Sequence, residues 1–346
     1  MEREVRSVIQ SIICTLFISV LFSAIFVGSS LGQGIANFTD QNIFKNINGT
    51  FNEAPQWRQL YENKNINQTA ALDSNITLIG RWANGPCMAV GVVGNTAYFG
   101  NGGYLEIVDF ENPANPQEIS KVLLPSLVNG IAVSGNYVYV ANYFDGLRII
   151  DVSNPAAAAE VGFLDMGSYA EGVYVDGNYA YVANGSNGLR IIDVSNPAAP
   201  TQVGFINTGS YAKSVYVVGN YAYVADGYDG LRIIDVSNPA APTETGFFDT
   251  ESFARGVHVI GNYAYLADGA DGLRIIDVSD PAVPTEAGFF DAIYYASGIY
   301  VIGKYAYVTT WIDGLSIIDV SDPAAPTEAG FLEMGTYTRS VYVIGD

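Results

Sequence analysis

The side chains in this sequence best suited to holding a ligand fall in two columns of a repeat. One column reads Met88, Asn129, Glu171, Lys213, Arg255, Ser297 and Arg339. Two residues earlier stand Pro86, Leu127, Tyr169, Tyr211, Phe253, Tyr295 and Tyr337, and a second loop adds Tyr143, Phe144, Tyr228 and Trp311. Aromatic rings stack on the faces of sugars, and Lys213, Arg255 and Arg339 inside an arc of such rings could pair with an anionic group. The competing reading is packing. Regularly spaced tyrosines wedge between neighbouring units, and the charges pair with Glu171 or face water.

Other chemistry has less to draw on. His258 is the only histidine, and it stands where Tyr174, Tyr216, Tyr300 and Tyr342 stand in other repeats, which marks it as a packing residue. No nucleophile motif, histidine cluster or cysteine pair supports a Ser-His-Asp or zinc site, and no catalytic residue and no cofactor is assigned. Asp226 with Asp229 and Asp268 with Asp271 read D-G-x-D-G, which falls short of a calcium loop and suits turns better, so no metal site is assigned either. Catalysis by two facing carboxylates, as in polysaccharide cleavage, needs no such motif and stays open.

The elements that must position these residues come from one phrase, G-L-R-I-I-D-V-S-N-P, at Gly146, Gly188, Gly230 and Gly272, with variants at Tyr104 and Gly314. Its aspartate falls at 109, 151, 193, 235, 277 and 319, a constant step of 42 residues. A fixed period of this length means a propeller, solenoid or array. Within one unit, S-V-Y-V-V, Y-A-Y-V-A, L-R-I-I-D-V and T-E-T-G-F-F are separated by Gly219-Asn220, Asp229-Gly230 and Ser237-Asn238-Pro239. These read as four short antiparallel strands joined by tight turns. Ile233-Ile234 and Val217-Val218 put apolar side chains on both faces, so each sheet must be covered on both sides. A ring of four-stranded blades does this while leaving only short edges. The phrase aspartates are expected to accept backbone hydrogen bonds at the turn between the third and fourth strands. Strand polarity places the loops that carry the two columns on one rim.

The core Leu147-Arg148-Ile149-Ile150-Asp151 and its copies resemble the LVIVD-repeat family. That resemblance covers residues 76 to 346 and implies a β-propeller on a microbial cell surface, with no defined molecular activity. The expected fold is therefore all-β: six complete blades and a partial seventh built from both chain ends. Its outer strand would be I-T-L-I-G-R-W from Ile76 and its inner strand S-V-Y-V-I near the C-terminus, with about twenty further residues expected beyond Asp346.

Three segments are expected: residues 1–32, a signal peptide or membrane anchor; 33–75, an Asn-rich polar linker; and 76–346, the propeller. The apolar run from about Val8 to Val27 follows Arg3 and Arg6 and precedes small residues at Ser30 and Gly32, which favours a signal peptide. Asn37, Asn48, Asn67, Asn75 and Asn184 each fit the N-glycosylation pattern. Of two cysteines, Cys14 lies in the leader and Cys87 reads as a lone buried residue at the start of an inner strand. A net charge of −20 argues against nucleic acid and anionic lipid as partners, so a membrane would be met only through an uncleaved leader. The first expectation is an exported or cell-surface binding or scaffold module for a glycan or protein partner. The alternatives are a polysaccharide hydrolase or lyase using rim carboxylates, or a structural envelope protein.

Overall fold

The computed structural model describes residues 10–16, 87–291, 293, 295–311, 314–333 and 337–344, with the side chains of 10–16, 333 and 337 left aside. Strand β1 (Gln10–Leu16) is followed by six four-stranded antiparallel sheets. Blade 1 contains β2 to β5 (Val90–Val93, Thr96–Asn101, Tyr104–Asp109, Gln117–Leu123), and blade 2 contains β6 to β9 (Gly130–Ser134, Tyr137–Ala141, Leu147–Asp151, Ala159–Leu164). Blade 3 contains β10 to β13 (Gly172–Asp176, Tyr179–Ala183, Leu189–Asp193, Thr201–Ile206), and blade 4 contains β14 to β17 (Ser214–Val218, Tyr221–Ala225, Leu231–Asp235, Thr243–Phe248). Blade 5 contains β18 to β21 (Gly256–Ile260, Tyr263–Ala267, Leu273–Asp277, Thr285–Phe290), and blade 6 contains β22 to β25 (Ala296–Ile302, Tyr305–Thr310, Gly314–Asp319, Thr327–Glu333). A last strand, β26 (Tyr337–Ile344), completes the order. The expected propeller of six complete four-stranded blades is thus the observed fold, and of the expected seventh the inner strand is observed as β26.

The turn residues account for the strand ends. Val218 pairs with Tyr221, which leaves Gly219-Asn220 as a two-residue loop, and Gly219 opens it at φ 58°, a conformation that favours glycine. The phrase aspartates act as expected: Asp151 Oδ1 accepts the Ser153 N–H at 2.8 Å, and Asp193, Asp235, Asp277 and Asp319 repeat the contact. Asn154, Asn196 and Asn238 accept the N–H two residues on, which closes the Asx turn.

Packing between blades uses two unlike faces. Tyr181, Ala183, Leu189 and Ile191 of blade 3 meet Val215, Val217, Ala222, Val224, Ile234 and Val236 of blade 4. The same large-against-small arrangement recurs between blades 4 and 5 and between blades 5 and 6. Strand β26 continues it single-handed: Val341 and Val343 pack on blade 6, while Tyr342 and Ile344 pack on blade 1. The inner strands β2, β6, β10, β14, β18, β22 and β26 therefore form a closed ring, each touching the next.

Two expectations meet the structure differently. Gln10–Leu16, which falls in the segment read as a leader, is a strand paired antiparallel with β26. Among the described residues, no helix is long and apolar enough to cross a membrane. Cys87 is buried as expected but is disulfide-bonded rather than a lone thiol. The Ile76 strand, the linker and Asn37, Asn48, Asn67 and Asn75 lie outside the described residues.

Fourth strands are lapped by the neighbouring blade's turn. A Cβ on Gly204 of β13 would collide with the carbonyl oxygen of Pro239 in blade 4. Gly204→Ala should therefore destabilise the propeller by about 1–3 kcal/mol through overpacking against backbone, read as a lowered thermal midpoint; an unchanged midpoint would show that the two blades are not held at this spacing.

Candidate functional site

Both loop columns do lie on one rim. Residues of the second-to-third-strand loops bridge to those of the fourth-to-first-strand loops at Tyr143 with Ala170, Gly185 with Ala212, Gly227 with Ala254 and Gly269 with Ala296. A buried polar column ties the same loops together. Asn142 accepts the Ser126 N–H and donates to the Ser126 carbonyl, and Asp226 accepts from the Thr208 hydroxyl at 2.6 Å and the Ser210 N–H at 3.2 Å. Asp268 accepts from Thr250 at 2.9 Å. Asp229 and Asp271 pair with Arg232 and Arg274, so the D-G-x-D-G carboxylates act as turn and loop ties. Among the described residues no cluster suited to a metal ion is found.

Asn184 belongs to this column, and its placement corrects the sequence reading. It is fully buried, and Nδ2 donates to the Met166 carbonyl at 3.3 Å. A glycan would have to be joined at that nitrogen, where neither space nor the atom is free.

At the centre of the rim the ring of inner strands encloses a mouth of about 190 Å³, lined by the whole column from Met88 to Arg339. Glu171 is the hub of one side. Its Oε1 receives Lys213 Nζ at 2.8 Å and the Tyr211 hydroxyl at 2.9 Å, and its Oε2 receives Asn129 Nδ2 at 3.0 Å. The glutamate is 9% exposed, so this pairing is what makes its charge tolerable there. The half-buried Tyr211 hydroxyl, donating to a carboxylate, is held well above the ordinary tyrosine range by partial burial and then by the Glu171 charge. Burial lowers the Lys213 pKa and Glu171 opposes that shift.

Arg255 and Arg339 behave differently. Neither forms an ion pair or a hydrogen bond through its guanidinium among the described residues, and the Nε of each is buried without a partner. Instead Arg255 lies 4.2 Å from the Trp311 ring centroid and Arg339 5.6 Å from the same ring. Arg255 also covers Phe253 at 4.9 Å. Burial lowers both pKa values, and for Arg255 the charge of Arg339 adds to the effect.

The aromatics split between packing and display. Tyr169 stacks on Tyr143 at 4.9 Å and meets Phe144 edge-on at 5.0 Å, and Tyr211 follows at 6.2 Å. Tyr295 stacks on Trp311 at 5.8 Å, and Phe253 meets Tyr228 edge-on. Phe144 and Tyr228 remain well exposed, at 61% and 71%. Tyr337 begins β26, and its side chain lies outside the described residues.

Two features escaped the sequence reading. Tyr143 has φ 42°, in a position held by Gly185, Gly227 and Gly269 in the next three blades; setting A-N-Y-F-D-G beneath A-N-G-S-N-G would have exposed it. Deeper in the ring, Tyr174, Tyr216, His258, Tyr300 and Tyr342 form a continuous column with centroids 4.5–5.1 Å apart. His258 is a buried member of that column, as its sequence position implied, and burial lowers its pKa to about 4.

Six four-stranded blades around a central mouth define a β-propeller repeat protein. The LVIVD repeat profile matches residues 84–123, 127–165, 167–208, 209–250, 253–292 and 295–333, and the chain belongs to the LVIVD repeat family. Similar solved structures show the fold at low identity. The Myceliophteria thermophila Cps50 (Swd1) β-propeller domain has a TM-score of 0.65 at 11% identity, over 78% of this chain and 96% of that one. The computationally designed Ika8 protein has a TM-score of 0.58 at 9% identity, over 74% and 77%. No curated protein shows significant similarity to the chain.

Asp268 provides a test of the loop ties. Its Oδ2 is buried without a partner, and burial raises its pKa from 3.8 to about 6. A folded-state pKa above the unfolded value means stability that is greatest below pH 3.8 and lost as pH rises through 6. Asp268→Asn, the residue two sister blades use, should gain about 1–3 kcal/mol above pH 6 and nothing at pH 3.5, measured by denaturant unfolding at both pH values. A gain confined to acid would contradict this.

Proposed function

We propose that this protein is an exported, surface-displayed propeller that works as a binding or scaffold module, with a glycan seated on the aromatic rim. The observation that carries the reading is Tyr143. Three sister blades solve the same turn with glycine, whereas tyrosine in the left-handed region costs about 1–3 kcal/mol. That strain gives the fold nothing it lacks elsewhere. It does build, with Phe144 and Tyr169, a partly exposed aromatic platform beside the mouth.

Two other readings are weaker. Polysaccharide cleavage by paired carboxylates would need two acids facing a cleft, and the mouth's glutamate has both oxygens engaged by Asn129, Tyr211 and Lys213. A purely structural envelope role leaves Tyr143 and the unpaired arginines without a reason. Export rests on the apolar run after Arg3 and Arg6, and glycosylation on Asn37, Asn48, Asn67 and Asn75.

The test expresses the whole reading frame in an exporting host, sequences the N-terminus of the recovered chain, and applies that chain to a glycan array. Recovery outside the cell and retained glycans are expected. Tyr143→Gly should leave the thermal midpoint within a few degrees, because relief of strain offsets the lost stacking, yet reduce glycan retention about tenfold or more. Retention of proteins alone would move the partner to that class. Retention of nothing, or a chain confined to the cell interior, would sink the reading.

A further inference from the structure

The mouth holds three cations and one carboxylate, and the carboxylate is fully spoken for. Lys213, Tyr211 and Asn129 occupy both oxygens of Glu171. Arg255 and Arg339 are left as two guanidinium groups with no ion pair to a described side chain, and the Glu171 charge acts on them only at a distance. Each lies beside Trp311, at 4.2 and 5.6 Å, and Trp311 is itself tied to Ser297 through Nε1 at 3.2 Å. The fold does not ask for this. The same column is filled by Met88, Asn129 and Ser297 in other blades, and among the arginines of the repeated phrase Arg148, Arg232 and Arg274 are paired with carboxylates while Arg190 lies over Phe205.

Holding two like charges together in a partly desolvated pocket costs free energy unless something relieves them. The chain has 35 Asp and Glu residues against 15 Lys and Arg, so unpaired cations are conspicuous here. Guanidinium forks match oxyanions in a bidentate way, and an aromatic ring beneath them fixes their planes. The mouth, near 190 Å³, is smaller than the roughly 300–1,000 Å³ of sites that enclose a drug-sized molecule. It suits one group at the end of a ligand. The surrounding acidic protein would repel a long polyanion.

We infer that Arg255 and Arg339, braced by Trp311, form a receptor for a single oxyanion (a carboxylate, sulfate or phosphate group) at the terminus of the ligand that the rim holds. This deepens the binding reading above and rests on it. Lys213 is a positioning residue: it neutralises Glu171 and so keeps that carboxylate from pairing with the arginines.

The test is calorimetric titration of the full chain with glucuronate, glucose, sulfate and phosphate, repeated with R255Q/R339Q and R255K/R339K. Glucuronate should bind at least tenfold more tightly than glucose, and raising salt should weaken it. R255Q/R339Q should lose about 100-fold or more, and R255K/R339K, which keeps the charge without the fork, about tenfold. Sulfate and phosphate binding as tightly as glucuronate assigns the affinity to the free oxyanion; glucuronate alone assigns it to a sugar acid; either supports the receptor. Equal affinity for glucose and glucuronate, or full affinity in R255Q/R339Q, overturns it. Glycans retained on the array with no oxyanion effect would remove this inference and leave the rim reading standing.

Discussion

Everything in this molecule depends on the fact that its sheets are apolar on both faces. Tyr221 and Tyr223 point one way from β15 while Ala222 and Val224 point the other, and both sets are covered. A lone four-stranded sheet of this kind would present two hydrophobic surfaces to water. The unlikeness of the faces adds direction, since a tyrosine and leucine face fits a valine and alanine face and not another of its own kind. Blades therefore stack in one sense around the ring, and β26 serves both neighbours at the point of closure.

That constraint divides the chain into residues the fold dictates and residues it leaves free. Leu231, Ile233, Ile234 and Asp235 recur because packing and the turn require them. Glu171, Lys213, Arg255 and Arg339 occupy one geometric position yet differ in charge, so the fold does not select them. Their arrangement is electrostatic: one carboxylate absorbs one cation, and two guanidiniums stay beside an indole. The rim aromatics belong partly to each group, stacking on one another while leaving Phe144 and Tyr228 open to solvent.

Most of the architecture was legible because a 42-residue period repeats both the turn chemistry and the two-faced apolar pattern. The columns on the rim were legible too, as variation against a fixed background. What the sequence could not disclose was partnership: nothing in the spacing says that Glu171 takes Lys213 rather than Arg255. Nor does the N-x-S pattern at Asn184 reveal that its amide is buried as a loop tie. The strand at Gln10–Leu16 was hidden for another reason. An apolar run reads as a leader by composition, and its pairing with β26 depends on an edge that only the folded ring creates.

The dependence of each blade on two neighbours is most directly measured by native-state hydrogen exchange along the inner strands. If the ring is closed, amides of β2 and β22, which flank β26, should exchange through the same global opening as those of β14 in the middle of the array, with matching free energies. Progressive exchange, with β2 and β22 opening far more readily than β14, would mean an open stack with frayed ends and would contradict the account.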